Sequence, residues 1–139
     1  MPEPLTALQQ KHNAKLDELI FLYKYRFHRY GLEFSLLFLY TKEAIELSSY
    51  GSLVRMTDSF LKIEDNFYAI VYEGADLEKS IKAAQNVIAH FEHDHQSKNI
   101  YVAAVSAEER SDENDMIDQL FIRLGKSIKE KLTNTIVSE

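Results

Sequence analysis

The sequence of 139 residues contains no cysteine, only two prolines and only four glycines. Without cysteine, the chain cannot form a disulfide, a thiolate metal site or a cysteine nucleophile. Both prolines lie within the first four residues, so no later proline interrupts a helix or strand. Four glycines are few for a protein that binds phosphate groups through glycine-rich loops.

An excess of basic residues and a long hydrophobic run are also missing. The chain has 16 basic and 22 acidic residues, a net charge of −6, which argues against broad nucleic-acid binding. The longest apolar run, Phe34 to Tyr40, is too short to span a membrane. The N-terminus lacks the basic stretch and apolar segment of a signal peptide. We therefore expect a cytoplasmic domain over residues 1–139 that binds neither nucleic acid nor membrane.

The apolar pattern predicts the element order α-β-α-β-β-α-β-α, followed by a short strand. A first helix over about 10–30 ends at Gly31, and a strand buried on both faces covers Phe34–Tyr40. Thr41 is expected to begin a short helix. The remaining predictions are strands at 59–63, 67–72, 100–105 and 135–137, and helices opened by Asp76 and Ser111. A hairpin between helical crossovers indicates an α+β, ferredoxin-like or palm-type fold with a central mixed, largely antiparallel sheet packed by helices.

Several segments match the motifs of one family. They are Pro4-Leu-Thr-Ala-Leu8, residues 26–39, Arg55-Met-Thr-Asp58, residues 66–79 and Tyr101-Val-Ala-Ala-Val-Ser106. The chain thus resembles the GGDEF domain, the bacterial diguanylate cyclase fold related to palm-type nucleotidyl cyclases. That family carries R-x-x-D five residues before its signature, where it forms an inhibitory site for cyclic di-GMP. The resemblance implies a role in signalling.

The signature itself departs from the family. Aligning the R-x-x-D motif places Glu64-Asp65-Asn66-Phe67-Tyr68 on G-G-D-E-F, so both glycines are replaced. The acidic signature positions become Asn66 and Phe67, and the family's metal aspartate falls on Tyr40. Two-metal phosphoryl transfer needs carboxylates to hold Mg²⁺. The resemblance therefore implies a degenerate domain with no catalytic residues, no bound metal and no cofactor.

Arg55 and Asp58 are the candidate ligand-binding residues. An arginine can donate to guanine O6 and N7, and a carboxylate can accept from the guanine N–H groups. The alternative is an i,i+3 ion pair or a turn cap beside a strand. The sequence leaves both interpretations open.

Three further clusters have structural and functional interpretations. His90, His93 and His95 could include a metal pair at i,i+3, although a solvated helix end explains them more simply. The aromatic residues at the signature, Tyr40, Phe67 and Tyr68, fill a site released from catalysis or line an altered pocket. The aromatic series of the first helix covers more than one helix face, which makes it a candidate dimer contact: Phe21, Tyr23, Tyr25, Phe27 and Tyr30.

These observations predict a catalytically inactive, GGDEF-like regulatory domain that works through a protein partner or a homodimer, with cyclic di-GMP as a candidate ligand. The alternative is a divergent metal-dependent nucleotidyl cyclase or nucleotide hydrolase. That enzyme would have to draw its metal ligands from Glu64 and Asp65, the only acids near the signature.

Overall fold

A computed structural model describes residues 3–107 and 115–139, which form a five-stranded sheet with helices on both faces. The elements are α1 (Glu3–Tyr30), β1 (Phe34–Tyr40), a 3-10 helix (Ser48–Leu53), β2 (Ser59–Glu64), β3 (Phe67–Glu73), α2 (Leu77–Asp94), β4 (Tyr101–Ser106), α3 (Asp115–Lys129) and β5 (Ile136–Val137). Ser111, expected to open the last helix, lies outside the described residues. Among the helices described, none is both long and apolar enough to cross a membrane.

The sheet has the strand order β2-β3-β1-β4-β5. β3 and β4 flank β1 antiparallel, β2 pairs with β3 antiparallel, and β4 pairs with β5 in parallel. The predicted mixed, largely antiparallel sheet is therefore confirmed.

β1 lies at the centre of the sheet, and all seven of its residues are buried. Alternate side chains point to opposite faces of a strand. Phe34, Leu36 and Phe38 join the core under α1 and α3, whereas Leu37 and Leu39 join the core under α2. Two covered faces explain why this strand is a continuous apolar run rather than an alternating one.

α1 begins seven residues earlier than the sequence pattern predicts, at Glu3. Leu5 and Leu8 extend its buried stripe by two turns, and their burial holds the N-terminal segment in helical form. The helix ends as predicted, because Gly31 has φ 70° and donates its N–H to the carbonyl of Phe27. Tyr30, which continues the three- and four-residue spacing of the apolar face and would therefore be buried, is exposed at the last helical position.

The prediction of a short helix that begins at Thr41 is wrong. Residues 41–47 are irregular, and only the 3-10 helix Ser48–Leu53 follows. The hydroxyl of Tyr68 donates to the carbonyl of Ile45 and accepts from the N–H of Leu47. These backbone groups bond to a side chain of β3 on the same face of the sheet instead of forming a helix of their own.

Candidate functional site

The residues aligned with the family's signature and metal position meet where β1 ends and β3 begins. Tyr40, the last residue of β1, lies directly opposite Phe67, the first residue of β3. Just beyond them, the N–H of Thr41 donates to the carbonyl of Asn66 at 3.0 Å. The fold therefore brings together the positions at which the family would place metal-binding carboxylates.

Phe67 is part of the core. It is 0% exposed, and its ring centroid lies 4.9 Å from that of Phe38 and 5.8 Å from that of Phe121. Such edge and tilted contacts add to the free energy gained from burying the ring. This position closes the apolar layer and has no group that can coordinate a metal.

Tyr40 is also nearly buried, with its ring beside that of Tyr101. Burial, and to a lesser extent the neighbouring Tyr101, raises the pKa of the Tyr40 phenol above its ordinary value. The phenol therefore stays neutral at physiological pH and cannot replace an anionic carboxylate.

The remaining signature positions have structural partners. The amide of Asn66 donates to the carbonyl of Thr41 at 3.1 Å. Asp65 is exposed at the hairpin turn, where its carboxylate lies 3.4 Å from the ammonium of Lys62. Tyr68 is buried on the opposite face of the sheet, under α2.

Glu64 is the acid of the signature that faces α1. Its carboxylate lies 2.7 Å from Nε2 of His12 and 3.6 Å from Nζ of Lys11, both on α1. The hydrogen bond to His12, with the nearby charge of Lys11, lowers the pKa of Glu64 below its ordinary value. The side chains of His12 and Lys11 thus keep this carboxylate occupied.

A cleft of about 340 Å³ lies between α1 and the ends of β1 and β2. It is lined by Pro4, Ala7, Leu8, Lys11, Tyr40, Glu64 and Asn66. The segment Pro4–Leu8, which resembles a family motif, forms one wall as part of α1. Among the described residues there is no group of three metal-ligating side chains, here or elsewhere.

Arg55 and Asp58 form a closed hydrogen-bonded turn before β2. The guanidinium of Arg55 donates twice to the carboxylate of Asp58, at 3.0 and 3.1 Å. Asp58, whose side chain is 1% exposed, also accepts from the backbone N–H groups of Arg55 and Glu73. These four bonds use all the acceptor capacity of the carboxylate. The i,i+3 ion pair of the structural interpretation is therefore present.

The pair also borders a cavity of about 300 Å³ between the 3-10 helix, β3 and α2. Arg55 is 59% exposed and has its Nη1 group free of hydrogen bonds to the described residues. Lys79 and Tyr72 line the same cavity. The hydroxyl of Tyr72 is buried without a hydrogen-bond partner in the described structure, although such groups are usually satisfied. Burial and the charge of Asp58 raise the pKa of Tyr72 above its ordinary value, so its hydroxyl keeps its proton.

Sequence reasoning missed Tyr72 and Lys79, which line this cavity, and Glu73, whose backbone bonds to Arg55 and Asp58. The carbonyl of Glu73 accepts from Arg55 at 2.6 Å, and its carboxylate holds the guanidinium of Arg26. The hairpin register contains a signal for the first two residues. A turn at residues 65–66 brings the segment before β2 opposite the end of β3. Lys79 lies on α2 and has no comparable local signal.

The histidine cluster lies at the end of α2. His90 and His93 are exposed, and Nδ1 of His93 is 3.2 Å from the carboxylate of Asp94. His95 caps the helix by donating its backbone N–H to the carbonyl of Phe91. Among the described residues, these histidines do not join a group of three side chains that could hold a metal ion.

The aromatic series of α1 divides between two faces, as the sequence predicted. Tyr23 and Phe27 pack on Phe34. Phe21, Tyr25 and Tyr30 are exposed instead.

Comparison with known proteins gives structural likeness only. No family model matches the chain, and no curated protein matches it in sequence. Among solved structures, it is similar to the GGDEF domain of DgcB from Caulobacter crescentus in complex with cyclic di-GMP (TM-score 0.70, 6% identity, covering 88% of this chain and 87% of that one). It is also similar to the active GGEEF domain of a diguanylate cyclase from Vibrio cholerae (TM-score 0.65, 16% identity, 81% and 86% covered).

A third similar structure is the diguanylate cyclase SiaD from Pseudomonas aeruginosa in complex with its activator SiaC (TM-score 0.70, 10% identity, covering 91% of this chain and 57% of that one). The chain therefore has the GGDEF-domain fold, an α+β palm-type nucleotidyl cyclase fold.

Proposed function

We propose that residues 1–139 form a single degenerate GGDEF-like domain that is not an enzyme and regulates cytoplasmic signalling by binding another protein. The burial of Phe67 carries this proposal. A position that the family uses for a carboxylate is an aromatic side chain packed between two others in the core. No rotamer change can turn that position into a metal site. The activator complex of the similar cyclase SiaD supports protein contact as a use of this fold.

The alternative, a divergent nucleotidyl cyclase or nucleotide hydrolase, would have to use Glu64 and Asp65. The carboxylate of Glu64 is held by His12 and Lys11, and Asp65 projects from the turn beside Lys62. Metal binding would have to break these contacts. Even then, no third metal-ligating side chain among the described residues joins these two. The geometry therefore favours the non-catalytic domain.

Incubation of the protein with GTP and Mg²⁺ or Mn²⁺ is expected to yield neither cyclic di-GMP nor a hydrolysis product above the buffer blank. Tyr40 and Phe67, which lie opposite each other at the end of β1 and the start of β3, supply no carboxylate for a metal. Chromatography of the nucleotide pool measures the result, with an active diguanylate cyclase as positive control. Turnover that depends on the divalent ion would contradict the proposal.

A second candidate function is binding of cyclic di-GMP at Arg55 and Asp58. Three groups without a hydrogen bond or ion pair to a described residue support it: Nη1 of Arg55, the ammonium of Lys79 and the buried hydroxyl of Tyr72. Because all acceptors of Asp58 are occupied, its proposed role is to hold the guanidinium of Arg55 in place. The similar domain of DgcB, in complex with cyclic di-GMP, adds support from the fold.

Titration calorimetry with cyclic di-GMP is expected to show micromolar binding that Arg55→Ala abolishes and Lys79→Ala weakens. Both variants remove positive charge from the cavity that would receive the phosphates. Lys82→Ala is the matched control, since Lys82 is exposed nearly one turn along α2 and does not line the cavity. Absence of heat with the wild-type protein would rule out the ligand and leave the protein-binding function standing.

Tyr72→Phe separates ligand binding from folding. The hydroxyl of Tyr72 has no partner in the described structure, so its loss should leave the free energy of unfolding unchanged or raise it by about 1 kcal/mol. If the hydroxyl bonds to the ligand, the same variant weakens binding about tenfold. Unchanged affinity would remove Tyr72 from the proposed site.

A further inference from the structure

The cavity between the 3-10 helix, β3 and α2 combines two cations with apolar walls. Arg55 and Lys79 both line it and are both exposed. Lys79 forms no ion pair with a described residue, so its charge is available to a ligand. Apolar side chains form much of the remaining lining: Leu53, Val54, Ala75 and Ala83.

Asp58 is the only acid among the described residues that line this cavity, and its carboxylate is already bonded. It accepts from the guanidinium of Arg55 and from the backbone N–H groups of Arg55 and Glu73. Two other acids lie near this end of β3 but do not line the cavity. The carboxylate of Glu73 bonds to Arg26, and that of Asp76 caps α2. The cavity therefore offers charged hydrogen-bond donors and no free carboxylate.

These groups fit a phosphate better than a guanine base. The Watson–Crick edge of guanine carries N–H donors, and the fully bonded Asp58 cannot accept from them. Phosphate oxygens only accept, and guanidinium and ammonium groups are their usual partners. Asp58 and the carbonyl of Glu73 hold the guanidinium of Arg55 in place, so less side-chain entropy is lost when a ligand binds.

The volume of the cavity limits the size of the ligand. About 300 Å³ is at the lower end of the range for small-molecule sites. One phosphate with its adjoining sugar and base matches this space, and the apolar walls can pack against the sugar or the base. The second half of a cyclic dinucleotide would have to lie outside.

We propose that this cavity binds one nucleotide unit through its phosphate group and does not distinguish guanine from adenine. The phosphate is either the monoester of a mononucleotide or one diester of a cyclic dinucleotide. The inference rests on the proposed role of Arg55 in ligand binding. It changes what that site recognises, which is the phosphate and not the base.

Titration calorimetry with four probes tests the inference: AMP, GMP, cyclic di-AMP and cyclic di-GMP. Within each pair, the adenine and guanine ligands are expected to have dissociation constants that agree within about threefold, a difference below 1 kcal/mol. Binding of the mononucleotides alone identifies a monoester as the ligand, and binding of the cyclic dinucleotides identifies a diester. Inorganic phosphate should compete with whichever probe binds, because it presents the same acceptor oxygens.

Lys79→Gln nearly preserves the length of the side chain and removes its charge. It should weaken every bound probe about tenfold, because a charge-assisted hydrogen bond is lost. Stability should be unchanged, since Lys79 is exposed. Lys79→Arg should bind within about threefold of the wild type, because the charge returns. Lys82→Gln is the matched control, since Lys82 is exposed on the same helix and does not line the cavity.

The outcomes separate this inference from the two proposed functions. If cyclic di-GMP binds more than about tenfold tighter than cyclic di-AMP, the site recognises guanine. The inference is then overturned, and binding of cyclic di-GMP stands. If no probe binds, both ligand proposals fail, and the protein-binding function is unaffected. Binding that Lys79→Gln leaves unchanged would also overturn the inference, because the phosphate would then lie elsewhere.

Discussion

Phe67→Ala is expected to lower the free energy of unfolding by about 3–5 kcal/mol, because it leaves a cavity between the rings of Phe38 and Phe121. Phe67→Glu should lower it further, since an ionised carboxylate would be buried in an apolar layer without a hydrogen-bond partner. Urea denaturation followed by circular dichroism measures both changes. Restoring an acid at this signature position is therefore expected to unfold the domain rather than recover a metal site.

Phe21→Ala is the control for this experiment. It removes the same aromatic ring from a position that is 64% exposed, and it should change the free energy of unfolding by no more than about 0.5 kcal/mol. A Phe67→Glu protein with the stability of the wild type would show that this side chain can leave the core. Phe67 would then no longer exclude a metal-binding carboxylate at this position.

The sequence was sufficient to predict elements whose cause is local. The apolar run at Phe34–Tyr40 predicts a strand covered on both faces, and all seven residues are buried. Asp76 predicts the start of α2, and its side chain accepts from the N–H of Lys79. Gly31 predicts the end of α1 through a positive φ. Each signal lies within one helical turn of the feature that it predicts.

Features that depend on distant contacts were not predictable in the same way. Thr41 and Glu43 resemble a helix start, but Tyr68, on another strand, bonds to the backbone of that segment. The first turns of α1 lie outside the helix predicted over about 10–30, yet the burial of Leu5 and Leu8 makes them helical. Tertiary contacts outweigh weak helical preferences in both places.

The candidate site shows the same division. Motif spacing alone identified Arg55 and Asp58, and antiparallel pairing places Tyr40 opposite Phe67. Spacing could not show that Asp58 has no free acceptor, because Glu73 supplies one of its donors from 15 residues away. Nor could it find the unpartnered hydroxyl of Tyr72, which depends on how α2 and the 3-10 helix enclose the end of β3.

Asp58→Ala is expected to lower the free energy of unfolding by about 2–4 kcal/mol, because it removes four hydrogen bonds around a buried carboxylate. The N–H groups of Arg55 and Glu73 lose their acceptor together, so the turn before β2 separates from the end of β3. Urea denaturation measures the loss. Native-state hydrogen exchange should show reduced protection at the N–H of Glu73.

Arg55→Ala should cost only about 1 kcal/mol, since water can replace a guanidinium that is 59% exposed. Asp58 then keeps its two backbone donors, which remain the main support of the turn. This order of stabilities decides how the calorimetry is interpreted. If Arg55→Ala retains the fold and loses cyclic di-GMP, Arg55 binds the ligand itself. If Arg55→Ala destabilises the domain as much as Asp58→Ala, the pair is a structural clamp, and loss of binding would report only damage to the turn.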